Sequence, residues 1–241
     1  MDKRFWGIIA AIVVILGAIF IITNHGNNTS SGNGQPTNHV EGQGADGITL
    51  LEYGDYQCPY CGEYYPIVKQ VAAIYDQDIY FQFRNLPLTQ LHPNAYAGAR
   101  AAEAASLQGK FWQMHDLLYE QNGAYYDSNE TLANWIGSSN PENDFVQYAQ
   151  QLGLNVSQFK TDYASGQVNN SILADMNAFT KTGAEEATPT FFLNGTQINP
   201  SISVSSFETI INAAIQKKTG HSSGISVSTT PSTATAPKST Q

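Results

Sequence analysis

The stretch that decides the fold is Glu52–Cys61, EYGDYQCPYC, which holds both cysteines of the 241-residue chain. Just before the cysteines, Gly47–Asp55 forms a short apolar run that stops at Gly-Asp, as a buried strand does. Pro59 suits the first position of a helix, where its missing N–H group has no partner to lose. We therefore expect a strand that ends at Asp55 and a helix that begins at the cysteines.

The sequence downstream predicts the remaining elements. Residues 78–88, DIYFQFRNLPL, alternate apolar and polar side chains and predict a second strand, parallel to the first. A helical region follows over about 92–183. Residues 188–198, TPTFFLNGTQI, predict a hairpin with an Asn-Gly turn, and 203–218 predict a helix capped by serine. This order, βαβ then ββα, predicts the α/β class and a thioredoxin fold with a helical insertion; an α/β domain of undefined type is the alternative.

The N-terminal sequence predicts a membrane anchor. Phe5–Ile22 carries no charge, and Lys3 and Arg4 precede it. About 18–20 apolar residues suffice to cross a bilayer as a helix, and basic flanks favour the cytoplasmic side. We expect residues 1–23 to be a single-pass transmembrane helix with a cytoplasmic N-terminus, followed by an exported domain. A cleaved signal peptide is the alternative, and it also implies export.

Composition divides the rest of the chain into three parts. Residues 24–45 are rich in Asn, Gly, Ser and Gln and predict a flexible linker, and residues 219–241 predict a disordered Ser/Thr/Pro tail. Between them, residues 46–218 have the size of one domain and contain 8 basic and 18 acidic residues. This acidic balance argues against a nucleic-acid partner.

Two cysteines separated by two residues are compatible with a metal site, a structural disulfide or a redox centre. Structural zinc commonly uses four Cys or His ligands, but there is no second Cys pair and the histidines have no ligand spacing, so we expect no metal. A disulfide stabilises mainly by closing a long loop, and this one would close a single turn. The redox interpretation is therefore favoured.

The expected geometry gives the two sulfurs different roles. At a helix N-terminus, Cys58 faces unpaired N–H groups and the positive end of the helix dipole, which favour the thiolate. Cys58 is therefore predicted to be the exposed attacking sulfur. Cys61, one turn further on, is predicted to be more buried and to resolve the mixed disulfide.

The chain also resembles the DsbA-like thiol–disulfide oxidoreductases, particularly their membrane-anchored bacterial members. The matching segments are EYGDYQCPYC, FRNLPLTQLHPNAYAGARAAEAASLQGKFWQMHDLLYEQ and ATPTFFLNG, which together span most of 46–218. The resemblance implies a helical insert that shapes a substrate groove. It also implies transfer of a disulfide into reduced exported proteins and reoxidation by a quinone-linked membrane enzyme of the DsbB or VKOR type.

The resemblance assigns roles to individual residues. Cys58 matches the nucleophile, Cys61 the resolving cysteine, and Glu52 the buried acid that can accept the proton of Cys61; a solvated carboxylate at a strand edge is the alternative for Glu52. Pro189 matches the cis-proline that faces the cysteines and, with Thr188, presents backbone to an extended substrate.

Two departures from the family pattern affect the expected chemistry. The strongest oxidases of the family carry His where this chain has Tyr60, and a neutral hydroxyl supplies no positive charge, so we expect a less extreme oxidant. Pro59 and Tyr60 are expected to contact substrate together with Thr188 and Pro189. Glu185-Glu186 precede the proline, where charge on a solvated loop is the simpler interpretation.

The leading functional hypothesis is an extracytoplasmic dithiol oxidase that acts as a monomer and needs no cofactor beyond the Cys58–Cys61 disulfide. An isomerase or reductase of the same fold is one alternative. A peptide-binding or chaperone module without electron transfer is another.

Overall fold

The computed structural model describes residues 34–124 and 135–220. A five-stranded mixed sheet forms its centre, with the strand order β1-β3-β2-β4-β5. The strands are β1 (His39–Glu41), β2 (Ile48–Gly54), β3 (Ile79–Asn85), β4 (Thr190–Leu193) and β5 (Thr196–Ile198). The central strand β2 pairs with β3 in parallel and with β4 antiparallel, so the cysteine-bearing loop leaves the middle of the sheet.

The helices follow the predicted order. They are α1 (Pro59–Ile74), α2 (Ala95–Ser106), α3 (Phe111–Ala124), α4 (Pro141–Gln151), α5 (Val156–Tyr163), α6 (Gly166–Thr180) and α7 (Val204–Thr219), with a short 3-10 helix at Trp135–Gly137. Strand β2, helix α1 and strand β3 form the βαβ unit, and β4, β5 and α7 form the ββα unit. Helices α2 to α6 lie between them in sequence, which confirms the α/β thioredoxin fold with a helical insertion.

Local signals in the sequence explain the element ends. Asn194 and Gly195 adopt φ angles of 49° and 78°, the left-handed pair that an Asn-Gly hairpin turn requires. The Ser203 side chain accepts a hydrogen bond from the Ser206 N–H and caps α7, as predicted. Pro59 is the first residue of α1, also as predicted.

The period-two alternation of β2 sends neighbouring side chains to opposite faces of the sheet. Leu50 packs in a core that includes Val71 of α1 and Phe207 of α7. Tyr53 packs on the other face against Phe179 of α6, with ring centroids 5.1 Å apart. Glu52 has the parity of Leu50, so it lies on the α1 face, below the helix that carries the cysteines.

The linker prediction is wrong for part of its range. His39–Glu41, within the predicted linker 24–45, forms β1 and extends the sheet antiparallel to β3. Thr37 and His39 are buried, and their side chains form hydrogen bonds with the carboxylates of Asp175 and Glu103, respectively. Polar residues hold this segment to the domain, and a composition argument based on apolar content does not detect them.

The predicted anchor, residues 1–23, lies outside the described residues, as does the tail after residue 220. Within 34–124 and 135–220, no helix combines the length and the apolar character needed to span a bilayer.

Candidate active site

The cysteines occupy the start of α1, where the sequence placed them. Cys58 is the N-cap residue, with extended backbone angles, and its N–H donates to the Asp55 carbonyl at 3.1 Å. Its own carbonyl accepts a hydrogen bond from Gly62 and another from the Asn122 side chain. The loop after β2, the first turn of α1 and helix α3 therefore fix the Cys58 backbone together.

Both cysteines are free thiols, and both are buried. Cys61 is 0% exposed and Cys58 only 4%. The prediction of an exposed Cys58 is wrong in degree, although Cys58 is the more accessible of the two. The cause is the loop before β4: the Cys58 thiol donates to the Thr188 carbonyl oxygen at 3.4 Å and is covered from that side.

The two thiols have opposite pKa shifts. A hydrogen bond from Cys61 is the main cause that lowers the pKa of Cys58 to about 6, and the Thr188 side chain and the Cys61 backbone act in the same direction. Burial is the main cause that raises the pKa of Cys61 well above its usual value, and the charges of Cys58 and Glu52 add to it. The sequence predicted this asymmetry from the helix N-terminus, whereas in the structure the neighbouring thiol contributes most.

The Thr188–Pro189 segment lies against the nucleophile, and its peptide bond is cis. The Thr188 hydroxyl is buried and has no hydrogen-bond partner among the described residues. It is therefore available to donate to the Cys58 sulfur once that sulfur becomes a thiolate.

Glu52 is buried in the central strand, which excludes the alternative of a solvated strand edge. Only 3% of it is exposed, and its neighbours across the sheet are Phe83 on β3 and Phe191 on β4. Burial, with a smaller contribution from the Cys58 charge, raises its pKa to about 8. At neutral pH both protonation states of this carboxyl group are accessible.

A cavity of about 60 Å³ connects Glu52 with the protein surface. Polar groups of its wall include Lys69, Asp116 and the buried imidazole of His115. Lys69 and Asp116 form an ion pair of 2.8 Å, and the Lys69 side chain is 52% exposed. The cavity is wide enough for water and has these polar groups in its wall, so Glu52 has a path for proton exchange with solvent.

Sequence reasoning missed two residues beside the cysteines, Asp55 and His92. The Asp55 carboxylate is 1% exposed and lies 2.7 Å from Nδ1 of His92. The pair is separated by 37 residues in the sequence. No local spacing rule links a loop aspartate to a histidine beyond the next strand, so only the fold reveals this contact.

The remaining predicted residues lie at the surface of the site. Tyr60 is 63% exposed, and Pro59 beside it is partly exposed. Glu185 and Glu186 are both exposed, which agrees with the interpretation of a solvated loop. Within the part of the chain that the structure describes, no group of three or more His, Cys, Asp or Glu side chains is arranged to hold a metal ion.

The Cys-x-x-Cys sequence begins a helix beside a five-stranded sheet, with a lowered pKa for the first thiol and a raised pKa for the second. These features define a thiol–disulfide oxidoreductase of the thioredoxin fold. The family model described as Thioredoxin matches residues 34–213. The chain therefore belongs to the thioredoxin family.

Solved structures support the same class. A thioredoxin-like oxidoreductase from Silicibacter pomeroyi is 25% identical, with a TM-score of 0.59, and the match covers 78% of this chain and 98% of that one. BdbD from Bacillus subtilis, at 21% identity and a TM-score of 0.60, matches over 76% of this chain and 94% of its own. DsbA from Xylella fastidiosa is 18% identical, with a TM-score of 0.54, and the match covers 72% of this chain and 87% of that one. The predicted DsbA-like fold and enzyme class are confirmed.

Curated relatives match only over part of their length. Na(+)/H(+) antiporter NhaA 1 from Salinispora arenicola is 33% identical over 176 residues, which cover 73% of this chain and 24% of the antiporter. NhaA 3 from Salinispora tropica is 36% identical over 157 residues, 65% of this chain and 22% of the antiporter. The chain spans about a quarter of the length of these relatives, and their antiporter names describe those whole proteins.

Proposed function

We propose that this chain is an extracytoplasmic dithiol oxidase, which passes the Cys58–Cys61 disulfide to reduced exported proteins. The observation that carries the proposal is the asymmetry of the two sulfurs, with the pKa of Cys58 near 6 and that of Cys61 raised well above its usual value. A sulfur that is stable as a thiolate is a good leaving group and stabilises the reduced state, which makes its disulfide an oxidant.

The reaction balances two electrons and two protons. A substrate thiolate attacks Cys58 of the disulfide, the Cys58–Cys61 bond breaks, and Cys61 leaves as a thiolate that takes up a proton. A second substrate thiolate then attacks the substrate sulfur of the mixed disulfide and releases Cys58. The substrate gains a disulfide, and the enzyme holds the dithiol pair.

In reoxidation, Cys61 has to lose the proton that it took up in the forward reaction. Cys58 attacks the disulfide of the reoxidising partner, and Cys61 must then lose its proton before it can attack Cys58. We assign Glu52 to this transfer because its pKa near 8 allows it to accept a proton at neutral pH and to return one in the forward reaction. The cavity beside Glu52 connects that proton with solvent.

Substrate docking is assigned to the rim around Cys58. The Thr188 carbonyl oxygen that the Cys58 thiol now contacts is a backbone acceptor for an extended substrate peptide. Tyr60, with 63% of its surface exposed, offers an aromatic contact beside it, and Pro59 and Pro189 complete the rim. The chemistry needs only the two sulfurs, so no further cofactor is assigned, and we propose that one copy of the chain suffices.

The cellular setting follows from sequence. We propose that residues 1–23 anchor the chain by a single helix with the catalytic domain outside the cytoplasm, where disulfides persist. Reduced exported proteins are the proposed substrates, and a quinone-linked membrane enzyme of the DsbB or VKOR type is the proposed reoxidant. The acidic surface gives no basis for a nucleic-acid partner.

The test is disulfide transfer by the purified full-length chain, in detergent, to a reduced and unfolded protein that natively contains disulfides. We expect stoichiometric oxidation, its loss in Cys58→Ala, and accumulation of a mixed disulfide in Cys61→Ala. A Cys58 pKa near 6 places the expected reduction potential between about −270 mV and about −120 mV. If the potential lies near the lower limit and no substrate is oxidised, the chain is a reductase. If the parent chain transfers no disulfide and Cys58→Ala still binds substrate, the chain is a binding module.

A further inference from the structure

A buried carboxylate lies beside both cysteines. Asp55 accepts hydrogen bonds from the Gln57 N–H at 2.8 Å and the Leu88 N–H at 2.9 Å. Its backbone N–H points at the Cys61 sulfur, 3.5 Å away, and its carbonyl accepts from the Cys58 N–H. Asp55 is therefore a fixed part of the cysteine loop, and its charge cannot move away from the active sulfur.

This charge opposes the chemistry of the site. The Asp55 carboxylate raises the pKa of Cys58, against the hydrogen bonds that lower it. Two negative charges close together in a partly desolvated site repel each other more strongly than they would in water. A positive charge near Asp55 is needed to offset this repulsion, and Tyr60 between the cysteines does not provide one.

His92 meets this need from a different element. It lies in the loop between β3 and α2, and its Nδ1 donates to the Asp55 carboxylate at 2.7 Å. Its side chain is 17% exposed, so the ring can still exchange a proton with solvent. The hydrogen bond to Asp55 is the main cause that raises the pKa of His92, burial opposes it, and the Cys58 charge contributes in the same direction as Asp55.

Two other histidines show that this environment is specific. His115 is fully buried beside Tyr56, and burial lowers its pKa to about 3, so it is neutral. His39 is paired with Glu103 at 2.8 Å, between β1 and α2 rather than in the cysteine loop. The charge of Cys58 contributes to the pKa of His92 and not to that of His115.

We propose that His92 is a positioning residue of the redox site: its imidazolium, held on Asp55, offsets the carboxylate charge beside Cys58 and preserves the Cys58 thiolate. The role rests on the proposed disulfide chemistry, because a thiolate matters only if Cys58 exchanges disulfides. It supplies, from a loop beyond the second strand of the βαβ unit, the positive charge that the dipeptide between the cysteines lacks.

The test is His92→Asn, whose amide can still donate to Asp55 but carries no charge. We measure the Cys58 pKa by the pH dependence of alkylation by iodoacetamide, and the equilibrium of the Cys58–Cys61 pair against glutathione. We expect the Cys58 pKa to rise by roughly half to one unit, as for a partly exposed charge pair. Because the reduced state loses stability, the glutathione equilibrium constant shifts about three- to tenfold toward the disulfide.

A double-mutant cycle with Asp55→Asn tests the route through the carboxylate. Without that carboxylate the imidazole no longer keeps its proton, so His92→Asn should then cause little or no further shift. His39→Asn is the matched control: it breaks a histidine–carboxylate pair of similar length and should leave the Cys58 pKa unchanged.

Three results would overturn the inference: an unchanged Cys58 pKa in folded His92→Asn, an equal shift in the Asp55→Asn background, or an equal shift in His39→Asn. None of these measurements requires transfer to a protein substrate. If the parent chain fails to oxidise reduced proteins while the His92 shift is observed, the oxidase proposal fails and the role of His92 stands.

Discussion

Two buried carboxyl groups on opposite sides of the sheet, Glu52 and Asp175, show how the same chemical group serves different ends. Asp175 on α6 is 0% exposed and accepts hydrogen bonds from the backbone and side chain of both Thr37 and Asn85. Glu52 is 3% exposed, and no hydrogen-bond donor among the described residues lowers the pKa of its carboxyl group. The hydrogen-bonding capacity of the Asp175 carboxylate is satisfied by protein donors, whereas the Glu52 carboxyl group faces the cavity.

Their pKa values reflect this contrast. Burial raises the pKa of Asp175 to about 6, and the donors from Asn85 and Thr37 limit the rise. Burial raises that of Glu52 to about 8, with no donor to oppose it. A buried acid with a full set of donors holds elements together, while one without donors can bind and release a proton at little structural cost. Asp175 therefore stabilises the fold, and Glu52 is suited to proton transfer.

The largest effect is expected for Asp175→Ala. The substitution leaves the N–H groups of Thr37 and Asn85 buried without an acceptor, and each stranded polar group costs about 1–3 kcal/mol. We expect a loss of about 3–5 kcal/mol in the free energy of unfolding, measured in denaturant on the reduced protein. Asp175→Asn, which keeps one acceptor oxygen, should lose less. A loss below about 1 kcal/mol for the alanine variant would show that Asp175 does not tie the Thr37 segment to the sheet.

The next effect concerns rate. Glu52→Gln keeps the shape of the side chain but cannot take a proton from Cys61. We expect reoxidation of the Cys58–Cys61 pair to slow about 100-fold at neutral pH, which is the lower end of the rate loss that removal of a general base causes. The fold should stay intact. Rapid mixing of the reduced protein with a small disulfide measures it. A Glu52→Gln variant that reoxidises at the parent rate would remove Glu52 from the mechanism, and Asp175→Asn, assayed in parallel, should keep that rate.

The same substitution should change how stability depends on pH. Because the folded pKa of Glu52, about 8, exceeds the ordinary glutamate value of 4.5, the unfolded chain releases this proton first, and stability falls as the pH rises through that window. Glu52→Gln removes this fall, so its stability relative to the parent should increase between pH 4.5 and pH 8 by up to roughly 1 kcal/mol per pH unit. Denaturant melts at three pH values measure the slope.

Asp175→Asn gives the matching control for that slope. The shift of Asp175 from 3.8 to about 6 has the same sign, so its substitution should flatten the profile only below about pH 6. A difference between Glu52→Gln and the parent that stays constant with pH would mean that the carboxyl group of Glu52 is not neutral in the folded protein.

The sequence predicted the parts of this comparison that depend on local pattern. Gly47–Asp55 gave the central strand, Pro59 the start of α1 and Asn194-Gly195 the hairpin, because each signal is complete within a few residues. The family resemblance then added Glu52 as the buried acid, and the structure places it below α1.

The Asp175 side of the comparison was not predictable in this way. Thr37 belongs to a polar segment whose composition indicates a linker, and its donors meet Asp175 at a separation of 138 residues. The Asp55–His92 contact was missed for the same reason. Hydrogen bonds between distant polar residues leave no periodic trace in a sequence, whereas the burial of apolar side chains does.

The smallest effect is expected at Tyr119, which lines the cavity together with Glu52. Its hydroxyl group is buried and has no partner among the described residues, and its pKa is raised first by burial and then by the charges of Cys61 and Glu52. Because the hydroxyl makes no bond to lose, Tyr119→Phe should change the free energy of unfolding by less than about 1 kcal/mol, with stabilisation the expected sign. The reoxidation rate should stay within about twofold of the parent, since Glu52 alone carries the proton. If Tyr119→Phe instead slows reoxidation as much as Glu52→Gln does, the phenol donates to Glu52 during the reaction, and Glu52 would no longer be the acid that the protein leaves without a partner.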